Sequence, residues 1–156
     1  MAKWPYRAAA VLFLLFAAGH TAGFLTFRPA AADALAVLED MNRVRFDMGG
    51  TTASWSGFYR GFGLFVSVYL LFSAFLSRRL GNAGQADAAM AWSIGWGLFT
   101  VQLGNIALCL HYFGPVQAIF AVACAVCVGG AALQNLVRSR RPASSGWPPM
   151  NANARR

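Results

Sequence analysis

The polar side chains that could do chemistry are few, and most of them lie in or beside long apolar runs. They are two histidines, three side chains with a carboxylate or amide group, two arginines and a tyrosine: His20, Arg45, Asp47, Tyr59, Arg60, Gln102, Asn105 and His111. An arginine can bind a phosphate or carboxylate through two parallel hydrogen bonds, and a histidine can hold or relay a proton near neutral pH. No recognised catalytic motif accompanies them, so no catalytic residue is assigned and the sequence favours a binding protein over an enzyme.

Two histidines on separate apolar segments suggest haem ligation as one chemistry to consider. At helical rise His20 lies about 10 Å below the end of its segment, whereas His111 lies at the end of its own. Axial ligands of one iron need similar depths, so haem fits only if the third segment continues past Gly114. Two histidines without supporting acids are also too few for a zinc site. The sequence therefore predicts no cofactor and no metal.

Cys124 and Cys127 form a CxxC motif in the last apolar segment. The motif resembles that of membrane thiol oxidoreductases, which pair a CxxC in a four-helix bundle with a quinone. Their relay cysteines have no counterpart in the 28–57 loop, and Cys124 lies about 15 Å deep in its helix. We expect both cysteines to act as small buried apolar residues, with a quinone or thiol redox protein as the lesser alternative.

The composition determines the class of protein. Hydrophobic residues make up 58% of the 156 positions and charged residues 12%, against about 45–50% and 25% in soluble domains. Crossing a bilayer takes about 20 mostly apolar residues, and four windows qualify: 8–27, 58–77, 88–110 and 114–137. We expect an all-α fold, a transmembrane four-helix bundle in one membrane domain over residues 1–141. A polar tail at 142–156 is expected to be disordered.

The basic residues predict the orientation, because Lys and Arg are retained on the cytoplasmic side of a membrane. Most of them fall on one side of a four-span chain: Lys3, Arg7, Arg78, Arg79, Arg138, Arg140, Arg141, Arg155 and Arg156. Both termini are therefore expected in the cytoplasm of a bacterium, with the protein in its inner membrane and the 28–57 loop outside. A cleaved signal peptide over the first window is the alternative. The net charge of +8 indicates topology and lipid contact and not nucleic acid, since no basic stripe is interleaved with exposed aromatics.

The outer loop and the small residues predict how the bundle is arranged. Apolar residues from Ala34 to Val44 recur at helical spacing after Pro29, which indicates a short amphipathic helix over the outer mouth of the bundle. Small residues let membrane helices approach closely. One face of each span is therefore expected to point inward. These faces are Gly19 and Gly23 on the first span; Gly57 and Gly61 on the second; Ser93, Gly97, Thr100, Gly104, Ala107 and His111 on the third; and Gln117, Ala121, Cys124, Val128 and Ala131 on the fourth. Aromatic residues at the span ends, Tyr6 among them, are expected at the membrane interfaces.

Three short stretches carry a family resemblance: His20, Arg45 with Phe46, and the run from Phe58 to Gly63. They resemble a family of small bacterial four-span membrane proteins without an assigned biochemical function. The resemblance lies mainly in the first half of the chain and implies a fold and a membrane location, but no reaction. Gly57 and Arg60 stand where the family pattern often has an acid and an apolar residue, so it implies no role for Arg60.

The eight polar residues that could do chemistry would lie in the outer half of the bilayer or at its edge. They are His20, Arg45, Asp47, Tyr59, Arg60, Gln102, Asn105 and His111. Because polar side chains in lipid tend to face a bundle interior, they predict a ligand pocket below the outer surface, with Arg60 for an anionic group and His20 as its partner. The alternative is that His20 and Asn105 only tie helices together and that Arg60 pairs with Asp47 or with a lipid phosphate. The expected function is binding of a small amphiphile or lipid, or a role as accessory subunit to a membrane-protein partner. The alternative function is that of an enzyme acting on a lipid-like substrate.

Overall fold

Five helices and one small hairpin make up the described part of the chain, residues 3–83, 88–113 and 115–140 of the computed structural model. The elements in chain order are α1 (Lys3–Thr26), α2 (Ala32–Arg43), β1 (Arg45–Asp47), β2 (Thr52–Ser54), α3 (Trp55–Asn82), α4 (Ala88–Tyr112) and α5 (Pro115–Arg140). The predicted disordered tail at 142–156 lies outside the described residues.

Four of the helices, α1, α3, α4 and α5, are long and apolar enough to cross a membrane. They have 24, 28, 25 and 26 residues, or about 36–42 Å at a rise of about 1.5 Å per residue. A hydrocarbon layer is about 30 Å thick, so each helix extends beyond it at one or both ends. The predicted all-α fold with four spans is confirmed, and each helix is longer than its predicted window.

The spans are arranged around α1. This helix packs most extensively against α3 on one side and also against α5, while α4 packs mainly on α5 and meets α3 at only a few points. Side chains of α1 and α5 form the centre, where the rings of Phe16 and Phe120 stack at 5.3 Å. On α5 the predicted inward face is confirmed, since Ala121, Cys124 and Val128 are buried. The bundle is therefore tight around α1 and open between α3 and α4.

The predicted inward face of α4 is wrong. All six residues of that face are exposed: Ser93, Gly97, Thr100, Gly104, Ala107 and His111. The buried residues lie on the opposite side of the helix: Ala91, Gly95, Leu98, Gln102 and Cys109. That buried side is also rich in small residues, so residue size alone could not tell the two faces of α4 apart.

The glycines predicted to bring α1 and α3 together do not do so. A Cβ atom added at Gly19, Gly23 or Gly61 would meet no atom within 4 Å, and one at Gly57 would meet only the Ser54 hydroxyl that caps its own helix. Close approach occurs instead at Gly63, where a Cβ would overlap the ring of Phe24 from α1. The contact surface is therefore rotated around α3 relative to the prediction.

Tyr6 lies where all four spans meet. Its side chain is fully buried, its Cβ faces Gly81 of α3, its hydroxyl lies against Gly95 of α4, and it interacts with the Asn135 side chain of α5. A Cβ at Gly95 would overlap this hydroxyl. Tyr6 thus lies near the end of its span, as the sequence predicts, but its ring is inside the bundle, where two glycines leave room for it.

The amphipathic helix between the first two spans is confirmed as α2, although it begins at Ala32, after Pro29. It packs against α3 and β2, with Leu38 and Met41 half-buried and no residue fully buried. We refer to this end of the bundle as the hairpin end. The opposite end, where α1 begins and α3 ends and which carries Lys3, Arg7, Arg78 and Arg79, is the basic end.

Residues 45–54 form a two-stranded antiparallel hairpin around a turn with two glycines, and the sequence did not predict this hairpin. Arg45 pairs with Ser54 and Asp47 with Thr52. The turn between the strands contains Gly49 and Gly50 at φ of 65° and 91°, a region that residues with a side chain rarely adopt. The Asp47 carboxylate accepts a 3.0 Å hydrogen bond from the Gly50 amide. The hairpin leads directly into α3, whose first turn Ser54 caps by accepting from the Gly57 amide.

Candidate functional site

His20 joins α1 to α3 near the hairpin end. Its Nε2 lies 3.0 Å from the Gly63 carbonyl oxygen, and since a carbonyl can only accept, Nε2 carries the proton. The imidazole stacks on Phe24 with ring centres 5.7 Å apart, and Phe24 in turn contacts Tyr59 at 5.2 Å. His20 and Tyr59 are therefore brought together through Phe24. The imidazole has a structural partner on the neighbouring helix.

A second polar contact reinforces this helix pair one turn deeper. Thr21 donates to the Ala17 carbonyl at 2.7 Å, and its oxygen also lies 2.7 Å from the hydroxyl oxygen of Ser67 on α3. Ser67 is buried, so the contact satisfies a hydroxyl that has no access to water. The sequence did not indicate this contact.

Gln102 and Asn105 form a separate polar cluster with Tyr69 and Cys109. Gln102 is fully buried, and its amide nitrogen donates to the Tyr69 hydroxyl of α3. Asn105 donates to the Gln102 oxygen at 3.5 Å and accepts from the Cys109 thiol at 3.8 Å. This cluster bridges α3 and α4, which otherwise make little contact. Tyr69 was missed, although a tyrosine in the middle of an apolar span must find a partner for its hydroxyl.

The two clusters lie at different depths. Gly63, which binds His20, precedes Tyr69 by six positions on α3, or about 9 Å along a helix. No hydrogen bond among the described residues links one cluster to the other. His20 with Gly63 and Gln102 with Tyr69 are thus two separate helix-to-helix contacts.

The remaining predicted site residues lie at the surface of the hairpin end. Arg45, Asp47, Arg60 and His111 are all exposed. Asp47 is engaged in the hairpin turn, and the His111 ring rests against Tyr112 at 4.5 Å. Within the described residues the one ion pair joins Arg43 to Asp40 at 2.6 Å, so Arg60 and Asp47 do not pair there. The outer ligand pocket made from all eight residues stays a prediction.

The three cysteines lie within the bundle. Cys109 and Cys124 are buried, Cys127 is half-buried, and all three are free thiols. Cys124 and Cys127 belong to the apolar core or pack against it. Reactive thiols need accessible, electropositive surroundings, which neither position offers. Among residues 3–83, 88–113 and 115–140, no three His, Cys, Asp or Glu side chains come together as metal ligands would.

A cleft that the sequence did not reveal opens at the basic end, between the last turns of α3 and the first turns of α4. Its volume is about 210 Å³. Six apolar residues and two polar ones line it: Leu76, Leu80, Ala83, Met90, Ala91 and Ile94, with Arg79 and Asn82. Asn82 also accepts a 3.2 Å hydrogen bond from the Arg7 guanidinium. One cationic side chain, Arg79, therefore lines the cleft and a second, Arg7, is bonded to its lining, far from the predicted outer pocket.

Comparisons with known proteins found no relative of this chain. The resemblance carried by His20, Arg45 with Phe46 and the Phe58–Gly63 run therefore stays a prediction. No family model, curated protein or solved structure matches the chain.

Proposed function

We propose that this protein is an accessory subunit of a membrane-protein complex and that α4 is the helix by which it binds its partner. The observation that carries the proposal is the exposed face of α4, which consists of small and polar residues from Ser93 to His111. Faces of this kind are typical of contacts between membrane helices, because small residues allow close backbone approach and hydroxyls can bond across the interface.

The opposite face of α4 supports the same conclusion. It also contains small residues, Ala91, Gly95 and Cys109, and is already occupied by α5 and by the Tyr69 contact. Helical spacing makes the small-residue face from Ser93 to His111 a groove between larger side chains. Leu103 and Leu110 lie on one side of it and Val101 and Leu108 on the other, and all four are exposed. A helix with small residues on two opposite faces suits a position between two neighbours, of which this chain supplies one.

The location and orientation form part of the proposal. We place the protein in a bacterial inner membrane with both termini in the cytoplasm and the hairpin outside. The excess of Lys and Arg at the basic end supports this orientation. With the four spans crossing the bilayer, the groove on α4 faces lipid, where a partner helix can reach it from the side.

The test combines crosslinking with a substitution that fills the groove. A photo-crosslinking amino acid at Thr100 is expected to yield one discrete product with another membrane protein in native membranes. The same probe at Val126, which is 67% exposed on α5, is expected to yield none. The two positions lie at similar depth, because Gly129 of α5 faces Phe99 of α4.

Gly97→Leu is expected to abolish the product while leaving the chain folded, since a Cβ at Gly97 meets no atom within 4 Å. Gly61→Leu is the matched control, because Gly61 is equally unobstructed on α3. A product of twice the chain's own mass would indicate self-association and contradict the accessory role. The absence of any product at Thr100 would contradict it as well.

A further inference from the structure

The cleft at the basic end combines two chemical features that belong to one kind of ligand. Most of its lining is apolar, and two of the lining residues, Leu80 and Ala91, are only 4% and 2% exposed. Its rim is cationic, with Arg79 in the lining and Arg7 bonded to the lining residue Asn82. A molecule that matches both features has an anionic head and an apolar chain.

The charges of the rim are not neutralised by the acids that the structure describes. Asp33, Glu39, Asp40 and Asp47 all lie in the α2 and hairpin region at the other end of the bundle. The fifth acid of the chain, Asp87, lies outside the described residues. Arg7 is held in place between the ring of Trp4, 5.7 Å from its guanidinium carbon, and the Asn82 side chain. Guanidinium groups can hold a phosphate through charge-assisted hydrogen bonds.

The size and position of the cleft indicate that it holds part of a larger molecule. At about 210 Å³ it is smaller than the roughly 300–1,000 Å³ of pockets that enclose a whole drug-sized ligand. It lies between α3 and α4, and Met90 in its wall is 60% exposed. Basic pockets between spans at a membrane surface are typical binding sites for anionic lipid headgroups.

We propose that the cleft between α3 and α4 binds one anionic phospholipid, with its phosphate at Arg79 and Arg7 and the start of an acyl chain against Leu76 and Ile94. The lipid fills the space between two helices that otherwise contact each other at only a few points. Such a site is distinct from the groove on α4, and neither depends on the other.

Native mass spectrometry of the full chain in mixed micelles tests the proposal. Phosphatidylglycerol is expected to bind more tightly than phosphatidylcholine with the same acyl chains. Arg79→Gln is expected to weaken phosphatidylglycerol binding about tenfold, the effect of losing one charge-assisted contact. Arg78→Gln removes the same charge one residue earlier, outside the cleft lining, and is expected to change the affinity less than about twofold, since an exposed and screened charge contributes little.

A second variant keeps the charge and changes the shape. Met90→Trp places a larger side chain in the cleft wall and is expected to weaken phosphatidylglycerol binding as Arg79→Gln does, with unchanged helicity by circular dichroism. This variant decides the question if Arg79→Gln does not accumulate as folded protein.

Three results would overturn the proposal. Equal losses in Arg78→Gln and Arg79→Gln would indicate unspecific attraction to a basic surface. Equal binding of the two lipids to the unaltered chain would show that the phosphate charge is not recognised. Displacement of the lipid by inorganic phosphate at equal concentration would show that the acyl chain contributes nothing.

Discussion

The substitution of Gly63 by alanine tests the contact between α1 and α3 most directly. A Cβ at this position would overlap the Phe24 ring, which is held between His20 and Tyr59. The same substitution at Gly61, two residues earlier in the same helix, meets no atom within 4 Å. The two variants differ in steric contact but share the gain in helix propensity, which is about 1 kcal/mol for Gly to Ala.

The expected difference follows from these contacts. Overpacking in a filled interior costs about 1–3 kcal/mol, so Gly63→Ala should unfold more easily than Gly61→Ala by about that amount. Gly61→Ala should be as stable as the unaltered chain or more stable. Titration with sodium dodecyl sulfate in mixed micelles, followed by circular dichroism, measures the free energy of unfolding for each variant.

A double substitution isolates the cause. If the Phe24 ring is the obstacle, Gly63→Ala should cost less than about 0.5 kcal/mol in a Phe24→Ala background, because the two positions share one contact. The small-residue spacing of the sequence makes the opposite prediction, that Gly61 is the close-packed position. A larger loss of stability in Gly61→Ala than in Gly63→Ala would refute the packing described above.

Three further outcomes are expected. Tyr6→Ala should lower the free energy of unfolding by about 3–5 kcal/mol. Tyr59→Ala should lower it much less, because Tyr59 is 55% exposed. Similar losses for both variants in the same titration would contradict the central position of Tyr6. Gln102→Leu should cost about 0.6–1.7 kcal/mol, the range for hydrogen bonds between membrane helices, and a more stable variant would count against the Tyr69 contact. An enzyme reporter active only outside the cytoplasm should work when fused at Asn42 and stay silent at Gly81, and activity at Gly81 would overturn the orientation proposed from the charges.

Much of the architecture follows from local properties of the chain. The length and apolar character of each span, the amphipathic spacing around Leu38 and the polar connections are all readable without tertiary contacts. The four spans and α2 were predicted for this reason. The inward face of α5 was also predicted correctly, because the opposite side of that helix carries larger apolar residues that are exposed, Ile119, Val122, Val126 and Leu133.

For the candidate site, the sequence predicts which polar residues need partners but not which partners they find. His20, Gln102 and Asn105 were recognised as polar groups that must find partners inside the bundle, since lipid offers none. Their partners, the Gly63 carbonyl and the Tyr69 hydroxyl, depend on how far each helix is rotated. The sequence contains no direct measure of that rotation.

The sequence by itself determined that this is an all-α chain with four spans, because burial in lipid depends on the composition and length of each segment. Only the tertiary structure decided which face of each span is inside. On α4 both faces are small enough to pack, and the choice between them is made by the fit of Tyr6 against Gly95 and of Gln102 against Tyr69. The cleft beside Arg79 has the same origin, since it depends on how α3 and α4, which meet at only a few points, are placed against each other.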